Sequence, residues 1–301
     1  MQTMTQIDIS GHRLYLHASG ERQPGRPAVI LEAGHSDWSH CWLSVQPDIA
    51  RFARVISYDR AGFGWSETGP RPRTPLRLVT ELHDLLERAG ETGPYLFVGH
   101  SLGAALGRLF AGLYPQEVHG MVWVDSAHEQ MQRYISFWPA VYHALVSAGS
   151  MGAALAHTGL VRRFGRGLML ANTPLARTPE EKAVVVTQMG SPRFFETMRD
   201  ETRGWLPPEN WERSPRMLGD LPVVMIEAQY PAGAPVPCPP GIWREYRAGW
   251  SRIQDDLARL STRTRRVPVM SAHNVMYEHP EVIIHAVREV FKMITSTDEH
   301  G

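Results

Sequence analysis

An excess of charge of either sign is missing from this sequence. Its 301 residues carry 31 Lys and Arg against 31 Asp and Glu, so the formal net charge is zero. Bulk electrostatics therefore offer no pull toward nucleic acid or a membrane surface. Lysine is almost absent: Lys182 and Lys292 stand alone, and every other basic residue apart from histidine is arginine. Cysteine is scarce as well. Two thiols, Cys41 and Cys238, are too few for a disulfide framework and suit a reducing, cytoplasmic setting. Long apolar runs are lacking. The most apolar window, 141–161, contains two histidines and several glycines, which is too polar to span a bilayer. The opening MQTMTQIDIS has neither a basic start nor an apolar stretch, so no secretory signal is expected there.

What is present is an alternation. HRLYLHA (12–18), PAVILEA (27–33), ARVISYD (53–59), PYLFVGH (94–100) and HGMVWVDS (119–126) are short runs rich in β-formers and read as strands. Between them, TPLRLVTELHDLLERAG (74–90) and SLGAALGRLFAGLYP (101–115) have helical spacing, the first with a threonine start and a glycine stop. Buried strands separated by helices predict an α/β fold with a mostly parallel central sheet flanked by helices. The rhythm breaks after Ser126. Residues 127–216 read as several helices rich in Met and aromatics, then LPVVMIEA (221–228) restores a strand. A proline-rich stretch (230–241), a helix (241–261), a strand (265–270) and a helix (280–294) complete the chain. The expected organisation is a core from 1–126 and 217–301, with 127–216 inserted as a helical cap.

The tripeptide Gly-His-Ser occurs twice, at 34–36 and at 99–101. The second copy lies in G-x-S-x-G, Gly99-His100-Ser101-Leu102-Gly103, after a predicted strand and opening a predicted helix. That context turns the pattern into a nucleophile elbow. The serine sits on a tight, strained bend, its hydroxyl clear of the sheet, and the two glycines keep the bend from clashing. Ser36 has no glycine two places on, and no helix follows it directly.

These residues resemble the α/β-hydrolase superfamily, over nearly all of the chain outside 127–216. AGHSDW resembles the oxyanion loop after the first buried strand, with Ala33 where histidine is usual. YDRAGFGWSETG (58–69) is similar to the signature after the next strand, in which Asp59, Arg60, Gly62 and Gly64 shape a turn. In SAHNVMYEHPEVI (271–283), His273 stands seven residues before Pro280, as the family's histidine does. The resemblance implies Ser101 as nucleophile, His273 as base, and an oxyanion hole from the backbone N–H groups of His35 and Leu102. Two carboxylates compete for the third position. Asp125, after the HGMVWVDS strand, is favoured; Glu227, still within LPVVMIEA, is the alternative. The implied activity is ester hydrolysis through an acyl-enzyme on small to medium apolar substrates. The same triad would also serve a lactonase or a carbon–carbon bond hydrolase, and a non-catalytic ligand-binding protein is the alternative of another class. Relatives that use aspartate as nucleophile, the dehalogenases and epoxide hydrolases, fit less well.

Trp38, Trp42, Phe137 and Trp138 are the candidate pocket residues. His35, His40 and Cys41 match no strong zinc spacing, so neither metal nor cofactor is expected. The expected partner is a small-molecule ester, with no nucleic acid or membrane. An imidazole base must be neutral to act, so activity should fall below about pH 6.5.

Overall fold

The computed structural model describes residues 3–171, 173–205, 207–230 and 239–298. Cys238 and most of the proline-rich stretch fall outside them. Eight strands form one sheet: β1 (Thr3–Asp8), β2 (Arg13–Ser19), β3 (Ala28–Glu32), β4 (Val55–Tyr58), β5 (Tyr95–His100), β6 (Val118–Val124), β7 (Val223–Ala228) and β8 (Thr264–Val269). Their order is β1-β2-β4-β3-β5-β6-β7-β8. β2 runs antiparallel to β1 and β4, and all other pairs are parallel. β3, β4, β5 and β7 are buried along their whole length, as strands covered by helices on both faces must be.

The helices are α1 (Gln46–Ile49), α2 (Pro75–Arg88), α3 (Leu102–Leu113), α4 (Trp138–His157), α5 (Leu160–Phe164), α6 (Arg166–Ala171), α7 (Pro179–Met189), α8 (Pro192–Trp205), α9 (Pro240–Leu257), α10 (Val275–Glu278) and α11 (Pro280–Asp298). α2 starts where its sequence signals it. Thr74 accepts a hydrogen bond from the Arg77 N–H, and Pro75 takes the first turn, where a missing N–H costs nothing. Its apolar face, including Leu78, Leu82 and Leu85, is buried. α11 approaches β6 closely at Gly120, where a Cβ would lie 2.4 Å from Val290.

α4 to α8 all lie between β6 and β7. α4 packs on α8 through small residues: a Cβ on Gly149 would come 2.8 Å from Arg199, and one on Gly152 would strike the Phe195 ring. A second small core of Trp38, Phe63, Ala176, Val185 and Phe194 joins these inserted helices to loops of the sheet domain.

Every predicted strand is present. β1 is an addition. Its sequence TMTQID is mostly exposed, so no apolar alternation betrays it, and only its pairing with β2 makes it a strand.

Candidate active site

Parallel pairing brings several strand ends to one edge. Glu32 pairs with Gly99, His100 with Val124, and Val124 with Ile226. The loops after β3, β5, β6 and β8 therefore converge, at the carboxyl ends where α/β sheets bind ligands. A cavity of about 440 Å³ opens there, and Ser101, His273, His35 and Trp38 all line it.

Ser101 sits at φ 51°, ψ −116° between β5 and α3, a left-handed conformation that costs a non-glycine residue energy. The flanking glycines are required by contact. A Cβ at Gly99 would lie 2.5 Å from the Ala104 backbone, and one at Gly103 would lie 2.4 Å from the Glu32 carbonyl oxygen. The Ser101 N–H donates to Val124 O at 3.0 Å, and its carbonyl accepts from Ala127 N at 3.1 Å. Because the peptide is planar and trans, the Leu102 N–H points opposite to that carbonyl.

His273 Nδ1 lies 2.7 Å from Asp125 Oδ2. A carboxylate there demands a proton on Nδ1, which leaves Nε2 as the basic nitrogen of a neutral ring. Asp125 is fully buried and well supplied with donors. Trp250 Nε1 reaches Oδ1 at 2.9 Å, Ala228 N reaches it at 3.3 Å, and the Tyr230 hydroxyl reaches Oδ2 at 3.0 Å. Burial, with the Asp125 charge beside it, pushes the Tyr230 phenol well above its ordinary range, so it acts as a donor. The Trp250 ring also stands edge-on to His273, with centroids 5.5 Å apart. Glu227 is occupied elsewhere: Arg266 grips its carboxylate, Nη2 to Oε2 at 2.9 Å. Of the two competing acids, Asp125 meets the histidine and Glu227 pairs with a neighbouring strand.

His100, inside the elbow, holds the histidine loop in place. Its Nε2 donates to the His273 carbonyl at 3.0 Å. Burial, with His273 beside it, depresses this imidazole to about 3, so it stays neutral.

The loop after β3 is fixed from beneath by Arg60. Its guanidinium, almost wholly buried, donates to Ala33 O at 2.8 Å, Gly34 O at 2.7 Å, Glu32 Oε1 at 2.9 Å and Glu201 Oε1 at 2.9 Å. Glu201 belongs to α8, so one arginine ties this loop to the inserted helices. With the Gly34 carbonyl turned toward Arg60, the His35 N–H faces away from it. The His35 ring itself is spoken for. Nε2 meets Thr202 Oγ1 at 2.9 Å, and Nδ1 meets Ser36 Oγ at 3.1 Å; burial lowers its affinity for a proton. Asp59 accepts from Ser39 N at 2.9 Å and Trp65 N at 2.8 Å, as a turn-shaping carboxylate does.

Two of the four aromatic pocket candidates line the cavity, Trp38 and Trp138. Trp42 does not. It is fully buried in the main core, because the short helical turn Ser39–Trp42 rotates it inward. Phe137 packs against that core, outside the lining. The cavity's apolar wall comes instead from Leu145, Met189, Phe194, Met198 and Trp205 of the inserted helices. Sequence reasoning missed these residues, and it missed Tyr230 and Trp250. For Tyr230 the one signal was its position, just past the end of β7 at the carboxyl edge of the sheet.

Residues 27–157 match the family model described as alpha/beta hydrolase fold. Among curated proteins, the chain is 34% identical over 128 residues to a probable transporter, efuK, of Hormonema carpetanum, covering 41% of this chain and 18% of that protein. It is 36% identical over 124 residues to an AB hydrolase superfamily protein of Gibberella zeae, covering 39% of this chain and 38% of that one. The chain thus spans less than half the length of these relatives. Among solved structures, haloalkane dehalogenase DbeA from Bradyrhizobium elkani aligns with TM-score 0.74 at 14% identity, covering 99% of this chain and 100% of that one.

Proposed function

We propose that this chain, with its α/β-hydrolase fold, is a serine hydrolase of that superfamily and cleaves carboxylic esters with Ser101, His273 and Asp125. The observation that carries this reading is the 2.7 Å contact between His273 Nδ1 and Asp125 Oδ2, in a cavity that Ser101 also lines. The Asp125 carboxylate sets the tautomer, and His273 Nε2 takes the Ser101 proton as Oγ bonds to the ester carbonyl carbon. The resulting oxyanion lies between the N–H groups of His35 and Leu102. Arg60 and Ala127 support this assignment by holding the opposing carbonyls. Preorganised donors of this kind are worth about 3 kcal/mol each in the barrier. The C–O bond then breaks, and the leaving alkoxide takes the proton from His273. Water, deprotonated by the same nitrogen, attacks the acyl-enzyme and releases the acid and free Ser101.

A serine at this position separates the chain from aspartate-nucleophile chemistry, which needs a carboxylate to form its ester intermediate. The apolar wall and the cavity's size favour small to medium acyl or alcohol groups. Labelling with a fluorophosphonate followed by peptide mapping tests the reading. Modification of Ser101 alone, abolished in Ser101→Ala, is expected. An unlabelled serine in a protein that melts cooperatively would refute it.

A further inference from the structure

The chain is neutral overall, but its charge is not evenly spread. Between Gln130 and Pro179 there is no Asp, Glu or Lys, while Arg133, Arg162, Arg163, Arg166 and Arg177 fall within that span. α4, twenty residues long, has no Asp, Glu, Lys or Arg at all. Surface helices of soluble proteins carry charge on their outer face. Here the outward positions hold mostly small and apolar residues, with two serines and the histidines His143 and His157, the latter 3.9 Å from Glu196.

The exposed apolar residues concentrate at one end of the inserted helices. Phe164 is 75% exposed, Leu168 73% and Met151 63%, with Leu155 and Leu160 also in water. α5 contacts both α4 and α6, so these side chains share one tip. Arg162, Arg163 and Arg166 are exposed on the same two short helices. Among the described residues no carboxylate pairs with any of the three. Patches of exposed large apolar side chains mark interaction surfaces, and the cations unmatched by carboxylates, with Arg163 lying over the Phe164 ring, select the partner. A second copy in a two-fold contact would set the same arginines against one another. An anionic lipid surface satisfies both features. Protruding apolar groups enter the acyl boundary, and guanidinium groups meet phosphate oxygens.

We propose that the tip formed by α4, α5 and α6 docks on anionic membranes, with Phe164, Leu168 and Met151 inserted and Arg162, Arg163 and Arg166 on the lipid phosphates. The chain lies on the bilayer and does not cross it: no helix among the described residues is long and apolar enough to span. The other side of α4 supplies Trp138 and Leu145 to the cavity wall, so docking would bring the cavity's roof to the lipid. Docking of this kind does not depend on the serine-hydrolase reading.

Co-sedimentation of the full chain with vesicles of phosphatidylcholine alone, and of phosphatidylcholine mixed with phosphatidylglycerol, tests it. Binding to the anionic vesicles, weakened by added salt, is expected. A combined R162Q/R163Q/R166Q variant should bind them about a hundredfold more weakly, at about fivefold per arginine. Phe164→Glu with Leu168→Glu should abolish binding. Both variants should keep the wild-type melting temperature and wild-type hydrolysis of a water-soluble p-nitrophenyl ester, since none of these residues lines the cavity. Equal binding to both vesicle types, or no binding, overturns the proposal. So does a concentration-dependent dimer that the Glu variant disperses while vesicle binding is absent.

Discussion

The two Gly-His-Ser tripeptides end as neighbours in different local settings. Both serines have positive φ, 60° for Ser36 and 51° for Ser101. Both histidines line the same cavity, and the copies touch: a Cβ on Gly34 would lie 2.7 Å from His100 Nδ1. The difference lies in the chain on the C-terminal side of each serine. After Ser101 a twelve-residue helix begins at once, anchored by small residues that let strand and helix meet. After Ser36 the chain makes a short helical turn from Ser39, and Ser36 Oγ hydrogen-bonds its own neighbour, His35. Three residues alone do not make an elbow; the helix that follows at once does.

Substitution of the two serines should break this symmetry most sharply. Ser101→Ala is expected to lower kcat/KM for an activated ester by about 10⁴-fold or more. Ser36→Ala should stay within about threefold, measured side by side by p-nitrophenol release. Equal losses would mean that the elbow has been misread.

The acid comes next. Asp125→Asn should reduce kcat by about 10³ to 10⁴-fold while the protein stays folded, because the amide favours the wrong imidazole tautomer. Glu227→Gln should leave turnover within about threefold. It loosens only the partly exposed Arg266 pair, which is worth about 1 kcal/mol or less. Steady-state kinetics on both variants checks the pair of outcomes.

Gly34→Ala probes the contact between the copies. The added methyl group must displace His100 or the loop after β3, and on the proposed mechanism a shift approaching 1 Å there costs about tenfold to a hundredfold in kcat. The loss should appear in kcat with KM little changed.

The smallest effect is on stability. The His100 imidazole is depressed to about 3 in the folded chain by burial, against about 6.5 when unfolded. Below pH 6.5 the unfolded chain takes up a proton that the native chain refuses. Stability is therefore complete above that value and is lost as pH falls toward 3, by about 2 kcal/mol between pH 7 and pH 5. His100→Gln keeps a donor for the His273 carbonyl and should flatten that slope in urea titrations. An unchanged slope would assign the acid sensitivity to other buried groups, such as His35.

Much of the fold was legible because its signals are local. Buried parallel strands such as PYLFVGH declare themselves by composition, and α2 by its threonine and proline start. β1 was not legible, because an edge strand with both faces largely in water has no apolar pattern. The tight strand-to-helix bend at Ser101 was readable from five residues, and His273 was singled out by its spacing to Pro280. The pocket was not. Trp38 and Trp42 are four apart in sequence, yet one lines the cavity and the other is sealed in the core, a difference set by a single helical turn. The tip of the inserted helices was hidden in a different way, since a net charge of zero averages a basic, apolar end against acidic residues elsewhere.

By itself, the sequence determined the order of strands and helices, the strained bend at Ser101 and the glycines that permit it, since each depends on the sterics and propensities of a few consecutive residues. Tertiary structure alone decided which carboxylate meets His273, what holds Asp125 in place, and which aromatic rings face the cavity. Those outcomes depend on how strands far apart in the chain fall into register at one sheet edge, and on how helices from a separate segment close over it. No local pattern encodes either.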